Sequence, residues 1–435
     1  MDDSARLESV YRRKAIMGSN PIPTARMHVR IIYPLLLIFT FVVSAFGLLM
    51  ISLSRQNLFL EHLENFPIEK LSLVLGICLV LLVGYYVLVF GSQSFSPQFL
   101  RLLVCLVWLT LFLAFPFLSR DIFSYVLPAR NFVWLGQNPY HVPVGSDLNL
   151  WTKELGNLWW LNFPSAYGPI FLLISSLAVL PHLSSLMATV YIYKTLVLLG
   201  CVFSVIFFKK INELLGGRNL NVYLFALNPA LLIHGLLDGH NEIFVTLFLL
   251  LSIYLFLRGK NTRSYFGLLS AILVKFSALI FLPVFWFKEK KVALKEVFLT
   301  VGATGLSFLL FFFIFRLNLG DLSRVTFFSS AGCLYACSPM IIITEVLFKG
   351  NAVPIRLVFW IFLYIFLIWR FLWKENNFLK FIFWSYTLML FTYVKWLGPW
   401  YPVLVLPIGL LIGGKLYKVA TYLLTAYSLL HFWGI

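Results

Sequence analysis

Residues 268–285 read LLSAILVKFSALIFLPVF, an apolar run whose only charge is Lys275, at its midpoint. The length is near the roughly 20 residues that cross a bilayer as a helix. An unpaired lysine in mid-membrane is costly. Basic residues flank both ends, with Arg258, Lys260 and Arg263 before the run and Lys288, Lys290, Lys291 and Lys295 after it. Basic loops stay on the cytoplasmic side, so both ends belong there. A segment that goes out and returns, as two short helices meeting at an outward-facing Lys275, satisfies both conditions. One straight helix does not.

Composition agrees. Of 435 residues, 61% are hydrophobic and 12% are charged, about half the charge of a soluble domain. A soluble enzyme, a nucleic-acid-binding domain and a disordered chain are excluded. The fold class is all-α: a polytopic transmembrane helical protein. Its 34 Lys plus Arg against 17 Asp plus Glu give a formal charge of +17. The positive-inside rule accounts for that excess without nucleic acid, and anionic lipids or a lipid phosphate would also favour it.

The loops then set the topology. A basic tail, residues 1–30 with Arg6, Arg12, Arg13, Lys14, Arg26 and Arg30, is cytoplasmic, and no cleavable signal peptide precedes the first apolar run. Runs near 31–53, 71–91 and 100–118 cross in alternation, placing the loop 119–186 outside. The run 169–181 lies between Pro169 and Pro181 and is read as re-entrant or surface-lying, because parity puts Lys209, Lys210 and Arg218 inside. Helices over 220–235 and 241–257 turn outside. Runs 294–315, 354–373, 381–395, 400–413 and 416–433 complete about 13 crossings. A short helix over 339–348 fits the loop 316–352. Residues 31–435 form one integral membrane domain without internal repeats. Cys333 and Cys337 pair only if their loop meets an oxidising compartment.

Function in a membrane protein shows where costly polar groups are kept. Four turns bring such groups to the outer face. The first opens with RDIFSY, residues 120–125, where Asp121 directly follows a helix end. Arg120 and Tyr125 are suited to orient a carboxylate or hold a sugar. The loop continues through Arg130, QNPYH (137–141, with Asn138 and Tyr140) and SAYGP (165–169, with Tyr167). Its aromatics Trp134, Trp151, Trp159 and Trp160 fit an interfacial belt or a sugar-stacking cleft equally well. The second turn is DGHNE, residues 238–242, with His240, Asn241 and Glu242. The third is Lys275, and the fourth is KWLGPWYPVLVLP, residues 395–407, with Lys395, Trp400 and Tyr401. No second histidine stands at metal spacing from His240, and the outer loops hold no Asp-x-Asp, so neither a metal nor a cofactor is expected.

One outward acid among several cations at the bilayer edge suits group transfer from a lipid phosphate. The acid would take a proton from an acceptor hydroxyl, worth about 10²–10⁴-fold. Lys275, His240 or Arg130 would meet the charge growing on the leaving phosphate.

The run from RDIFSY through QNPYH and SAYGP, then NPALLIHGLLDGHNE (228–242), LLSAILVKFSALIFLPVF and PWYPVLVLP (399–407), resembles the GT-C superfamily of membrane glycosyltransferases. It is most similar to the bacterial polyprenyl-phosphate-mannose-dependent mannosyltransferases, over roughly residues 100–410. The resemblance implies a polyprenyl-phosphate sugar donor, an extracytoplasmic site in the plasma membrane and a glycan or glycolipid acceptor. It implies Asp121 as general base of an inverting transfer, Lys275 at the donor phosphate, and Gly239, His240, Asn241 and Glu242 lining the same cleft. Mannose itself comes only from the resemblance. The chain departs from members that carry two acids in the first outer loop, having Asp121 alone at that point, and from those with an added soluble domain.

Two other classes compete. A flippase or transporter predicts internal repeats and broken helices with ionisable groups near the midplane, and an assembly subunit predicts a dispensable Asp121. The same chemistry with another donor sugar, such as arabinose, is indistinguishable from sequence.

Overall fold

The computed structural model describes residues 32–54, 68–91, 95–146, 159–288, 291–318, 343, 352–394 and 397–430. They form a helical bundle whose only strands among them are the two-residue pair Phe287–Lys288 and Lys291–Val292. Helices Ile32–Leu53, Ser72–Phe90, Leu186–Leu214, Leu294–Phe315 and Ile355–Lys374 are long and apolar enough to cross a membrane. Their outward faces are oily: Phe298 is 76% exposed and Phe313 81%. In water such faces would aggregate, whereas in lipid they are solvated. The protein is a polytopic helical membrane protein.

The loop parity implied about 13 crossings, whereas helix length and composition give five, or up to six with one bent pair, among the described residues. Six further apolar helices of 10–17 residues fall short of that test. At 1.5 Å per residue they reach about 15–26 Å, short of the roughly 30 Å hydrocarbon core unless they run on through irregular chain. The helix Pro169–Val179 is one of them, as its bounding prolines indicated, and packs on Asp121–Leu135.

The run that decides the class breaks where expected. Asn261–Val274 is α-helical, Lys275 is extended (φ −148°, ψ 118°), and Phe276–Phe285 continues as a tighter 3₁₀ helix. The expected 220–235 helix is instead two pieces, Leu220–Ala226 and Leu231–Leu237, bent by 55°. Pro229 cannot continue the hydrogen-bond ladder. Asn228 restarts it, its Oδ1 accepting from the Ala230 and Leu231 amides at 2.9 and 3.4 Å. The second piece is wound as a π-helix capped by Asp238, and the next residue is Gly239, whose φ of +72° favours glycine.

The tail 1–30, the short helix expected over 339–348 apart from Ile343, the pair Cys333 and Cys337, and Lys395 lie outside the described residues.

Candidate active site

Asp121 is the first residue of the helix Asp121–Leu135. Its amide donates to Ser119 Oγ at 3.2 Å, and Ser124 Oγ donates to its carbonyl at 2.6 Å, which fixes the first turn. A quarter of the carboxylate side chain (24%) stays open while the groups behind it are closed off. Asp121 Oδ2 faces His240 Nδ1 at 3.7 Å, and Tyr125 Oη sits 3.2 Å from that nitrogen. His240 is buried and stacked on Trp400, with ring centroids 3.8 Å apart and planes 19° from parallel.

Glu242 and Lys275 form a close ion pair with 2% and 14% side-chain exposure. Lys275 Nζ also lies 4.2 Å from the centroid of the Tyr401 ring, a cation–π placement. Tyr167 packs edge-on to Tyr125 at 5.0 Å and approaches Ser124 Oγ at 3.5 Å. The Asp121 carboxyl is pushed up to about 7 by burial first, then by the Glu242 charge; Lys275 pulls the other way. A carboxyl poised there exchanges protons near neutral pH.

One glycine holds the loop to the site. Gly168 donates to the Val274 carbonyl at 3.1 Å, and a Cβ there would stand 2.1 Å from the Leu273 carbonyl oxygen. SAYGP is thus docked on the chain immediately before Lys275, which brings Tyr167 towards the site.

The structure therefore gathers Asp121, Tyr125, Tyr167, His240, Glu242, Lys275, Trp400 and Tyr401. Asn241 is buried beside them, its amide oxygen and nitrogen without hydrogen-bond partners among the described residues. Arg120 is half-buried at the cap position. The other candidates from the loop have structural contacts. Asn138 Nδ2 donates to the Phe315 carbonyl, and its Oδ1 accepts from the Tyr140 amide at 3.1 Å. Tyr140 is wholly buried, edge-on to Phe311 and Phe315 at 4.9 and 4.8 Å. Arg130 is buried with its guanidinium 4.7 Å from the Trp134 ring centroid, and Trp134 donates to the Val179 carbonyl at 2.8 Å. Those aromatic and amide groups pin the loop to Leu294–Phe315 and Pro169–Val179.

Sequence reasoning missed three residues. Lys194, buried in Leu186–Leu214, donates to the Leu111 carbonyl at 3.0 Å, to the Ala114 carbonyl, and to the Leu237 carbonyl at 3.2 Å. Asp238 accepts from the Leu118 amide at 3.2 Å. His234 lies on the π-helical turn, its ring 5.8 Å from that of His240. The expectation of a lone His240 without a metal-spaced neighbour rested on counting along an α-helix. The π-turn and Gly239 fold the chain back so that His234, Asp238 and His240 each offer a ligand atom within 4.8 Å of the others.

Residues 35–288, more than half of the chain, match the family described as "Alpha-(1->6)-mannopyranosyltransferase, N-terminal domain". The chain belongs to this mannopyranosyltransferase family. A curated relative, alpha-(1->6)-mannopyranosyltransferase A of Mycobacterium tuberculosis (strain ATCC 25618 / H37Rv), is 26% identical over 228 residues, 51% of this chain and 44% of the relative. A second alpha-(1->6)-mannopyranosyltransferase of that organism is 29% identical over 157 residues, 35% of this chain and 26% of its own. The chain thus matches less than half the length of either relative. No solved structure matches it. The family match includes Asp121, His240, Glu242 and Lys275, while Trp400 and Tyr401 lie beyond it.

Proposed function

We propose that the protein transfers one mannose from a polyprenyl-phosphate donor to an extracytoplasmic glycan or lipid-linked acceptor, with inversion at the anomeric carbon. The open carboxylate of Asp121, its proton affinity raised towards neutrality, carries this reading. Asp121 takes the proton of the acceptor hydroxyl as that oxygen bonds to the anomeric carbon. The bond from that carbon to the phosphate oxygen breaks, its electron pair leaving with polyprenyl phosphate. Lys275 meets the leaving phosphate. An ammonium has three N–H donors and Glu242 engages one side of it, so the same lysine serves both partners. Tyr125 and Tyr167 line the approach to Asp121, and Tyr401 lines that to Lys275. The site lies at the outer face of the plasma membrane with the N-terminus cytoplasmic, as the loop charges imply.

The test is transfer from radiolabelled polyprenyl-phosphate-mannose by the purified full chain, alongside Asp121→Asn. The expected result is label in acceptor with the wild type and a loss of about 10²–10⁴-fold in the variant with donor binding retained. Near-normal turnover by Asp121→Asn removes the base assignment, and no consumption of this donor removes the donor assignment.

One observation favours transport as a second reading: the 55° break between Leu220–Ala226 and Leu231–Leu237, next to buried ionisable groups. Movement of intact donor across proteoliposomes without breakage of its sugar–phosphate bond would favour it over the enzyme.

A further inference from the structure

Beside Asp121 three buried side chains converge: His234, Asp238 and His240, each 1% exposed. Each has its outer atom held. A His234 ring nitrogen facing a carbonyl has to donate, so Nε2–H donates to the Ser428 carbonyl at 3.0 Å and Nδ1 carries the lone pair. Asp238 Oδ1 is held by the Leu118 amide at 3.2 Å. His240 Nδ1 is held between Tyr125 Oη at 3.2 Å and Asp121 Oδ2 at 3.7 Å. The inner atoms Asp238 Oδ2 and His240 Nε2 are buried and have no hydrogen-bond partner among the described residues. Buried polar atoms without partners cost free energy, and two of them beside a histidine call for something to bind.

We propose that His234, Asp238 and His240 form a site for one divalent transition ion, of which zinc is the best match. Two imidazoles and one carboxylate suit zinc and its neighbours better than Mg²⁺ or Ca²⁺, which prefer all-oxygen shells. Ligand atoms within 4.8 Å of one another are close to place, since tetrahedral ligands about 2.1 Å from zinc stand roughly 3.4 Å apart. Metal-bound histidines have the second ring nitrogen held by a neighbouring polar group. Here the His234 Nε2–H donates to the Ser428 carbonyl, and His240 Nδ1 meets the Tyr125 hydroxyl at 3.2 Å with the Asp121 carboxylate at 3.7 Å.

The Asp238 and Asp121 carboxylates supply negative charge beside a divalent ion, while Lys194 directs its donors to the Leu111, Ala114 and Leu237 carbonyls. The fold makes the site rather than the spacing. The Asp238 amide donates to Ile233, Gly239 to Gly235 and His240 to His234, at 2.9, 3.0 and 2.9 Å, a turn in which Gly239 takes φ +72°. Bound through Nε2, His240 keeps its proton on Nδ1, which faces the Tyr125 hydroxyl with the Asp121 carboxylate beside it. The ion thereby positions the carboxylate without touching a sugar or phosphate. The site itself stands independently of the reaction assigned to Asp121.

The test is metal content and a Co²⁺ spectrum of the purified full chain in detergent, after exhaustive dialysis against chelator and reloading. The expected result is about one retained equivalent of zinc and, on Co²⁺ loading, the intense visible absorption of a four-coordinate site, with affinity falling about tenfold or more in Asp238→Asn and His234→Gln. Size-exclusion chromatography establishes that each preparation is folded, and the wild-type measurement needs no variant. A folded wild-type chain that retains no zinc and gives no Co²⁺ band overturns the site. So does a band that both variants keep unchanged, which would put the ion elsewhere.

Discussion

Two lysines sit in apolar runs of this chain, and the fold accommodates them in opposite ways. Lys275 breaks its helix: the backbone turns extended and the ammonium pairs with Glu242 beside Tyr401. Lys194 stays inside an unbroken 29-residue helix, 1% exposed, and is met by three carbonyls. Two of these, Leu111 and Ala114, lie at the end of Pro97–Leu113, and the third, Leu237, closes the π-helical piece. Helix C-termini leave their last carbonyls unbonded and carry partial negative charge. Lys194 thus caps two helix ends at once. The cost of a charge in a membrane is met either by breaking the helix that carries it or by borrowing the broken ends of others.

The difference is open to test from its strongest side first. Lys194→Met leaves three buried carbonyls without their donor, at about 1–3 kcal/mol for each unmade bond. Little folded protein is expected on detergent extraction, and a thermal unfolding midpoint near wild type would show the cap to be dispensable. Lys275→Met strands Glu242, and breaking a buried pair costs about 3–5 kcal/mol. It also removes the cation assigned to the donor phosphate, so both unfolding temperature and donor affinity fall, whereas Lys194→Met protein that does fold keeps its donor affinity.

The pH profile separates the partners of the Lys275 pair. With Asp121 as the proposed base, which works deprotonated, transfer is expected to rise with pH through about 7. Glu242 raises the Asp121 carboxyl, so Glu242→Gln moves the rising limb to lower pH. Lys275 lowers it, so Lys275→Met moves the limb to higher pH. Equal limbs in both variants would detach Asp121 from the pair. The smallest effect is at the stacked ring. Trp400→Leu removes the face packed on His240, worth about 0.5–1.5 kcal/mol, read as a modest loss of thermal stability with the same pH limb.

The same contrast explains what was legible. Lys275 could be found because its flanking charges forced both ends to one side, a one-dimensional constraint. The short helix after Pro169, the span Leu294–Phe315 and the polar turn at 238–242 were legible for like reasons of length and flanking residues. Lys194, His234 and the contacts of Asp238 were not, because their partners lie 43 to 194 residues away or across a π-turn that no α-helical spacing anticipates. For Arg130, Asn138 and Tyr140 the sequence left two roles together, because loop aromatics and amides read alike whether they bind sugar or pin a loop. The contacts that the structure adds are with Trp134, Phe315 and Phe311.

By itself the sequence determined the solvent of this protein, its helices and the residues too costly to bury without purpose, because hydrophobicity and charge are properties of single residues summed along a chain. Tertiary structure alone decided which of those residues meet. The bend at Pro229, the left-handed Gly239 and the close approach at Gly168 set distances of a few ångströms between side chains far apart in the chain. Those distances set one open carboxylate beside a buried histidine, make one glutamate a lysine's partner, and bring two histidines and an aspartate together.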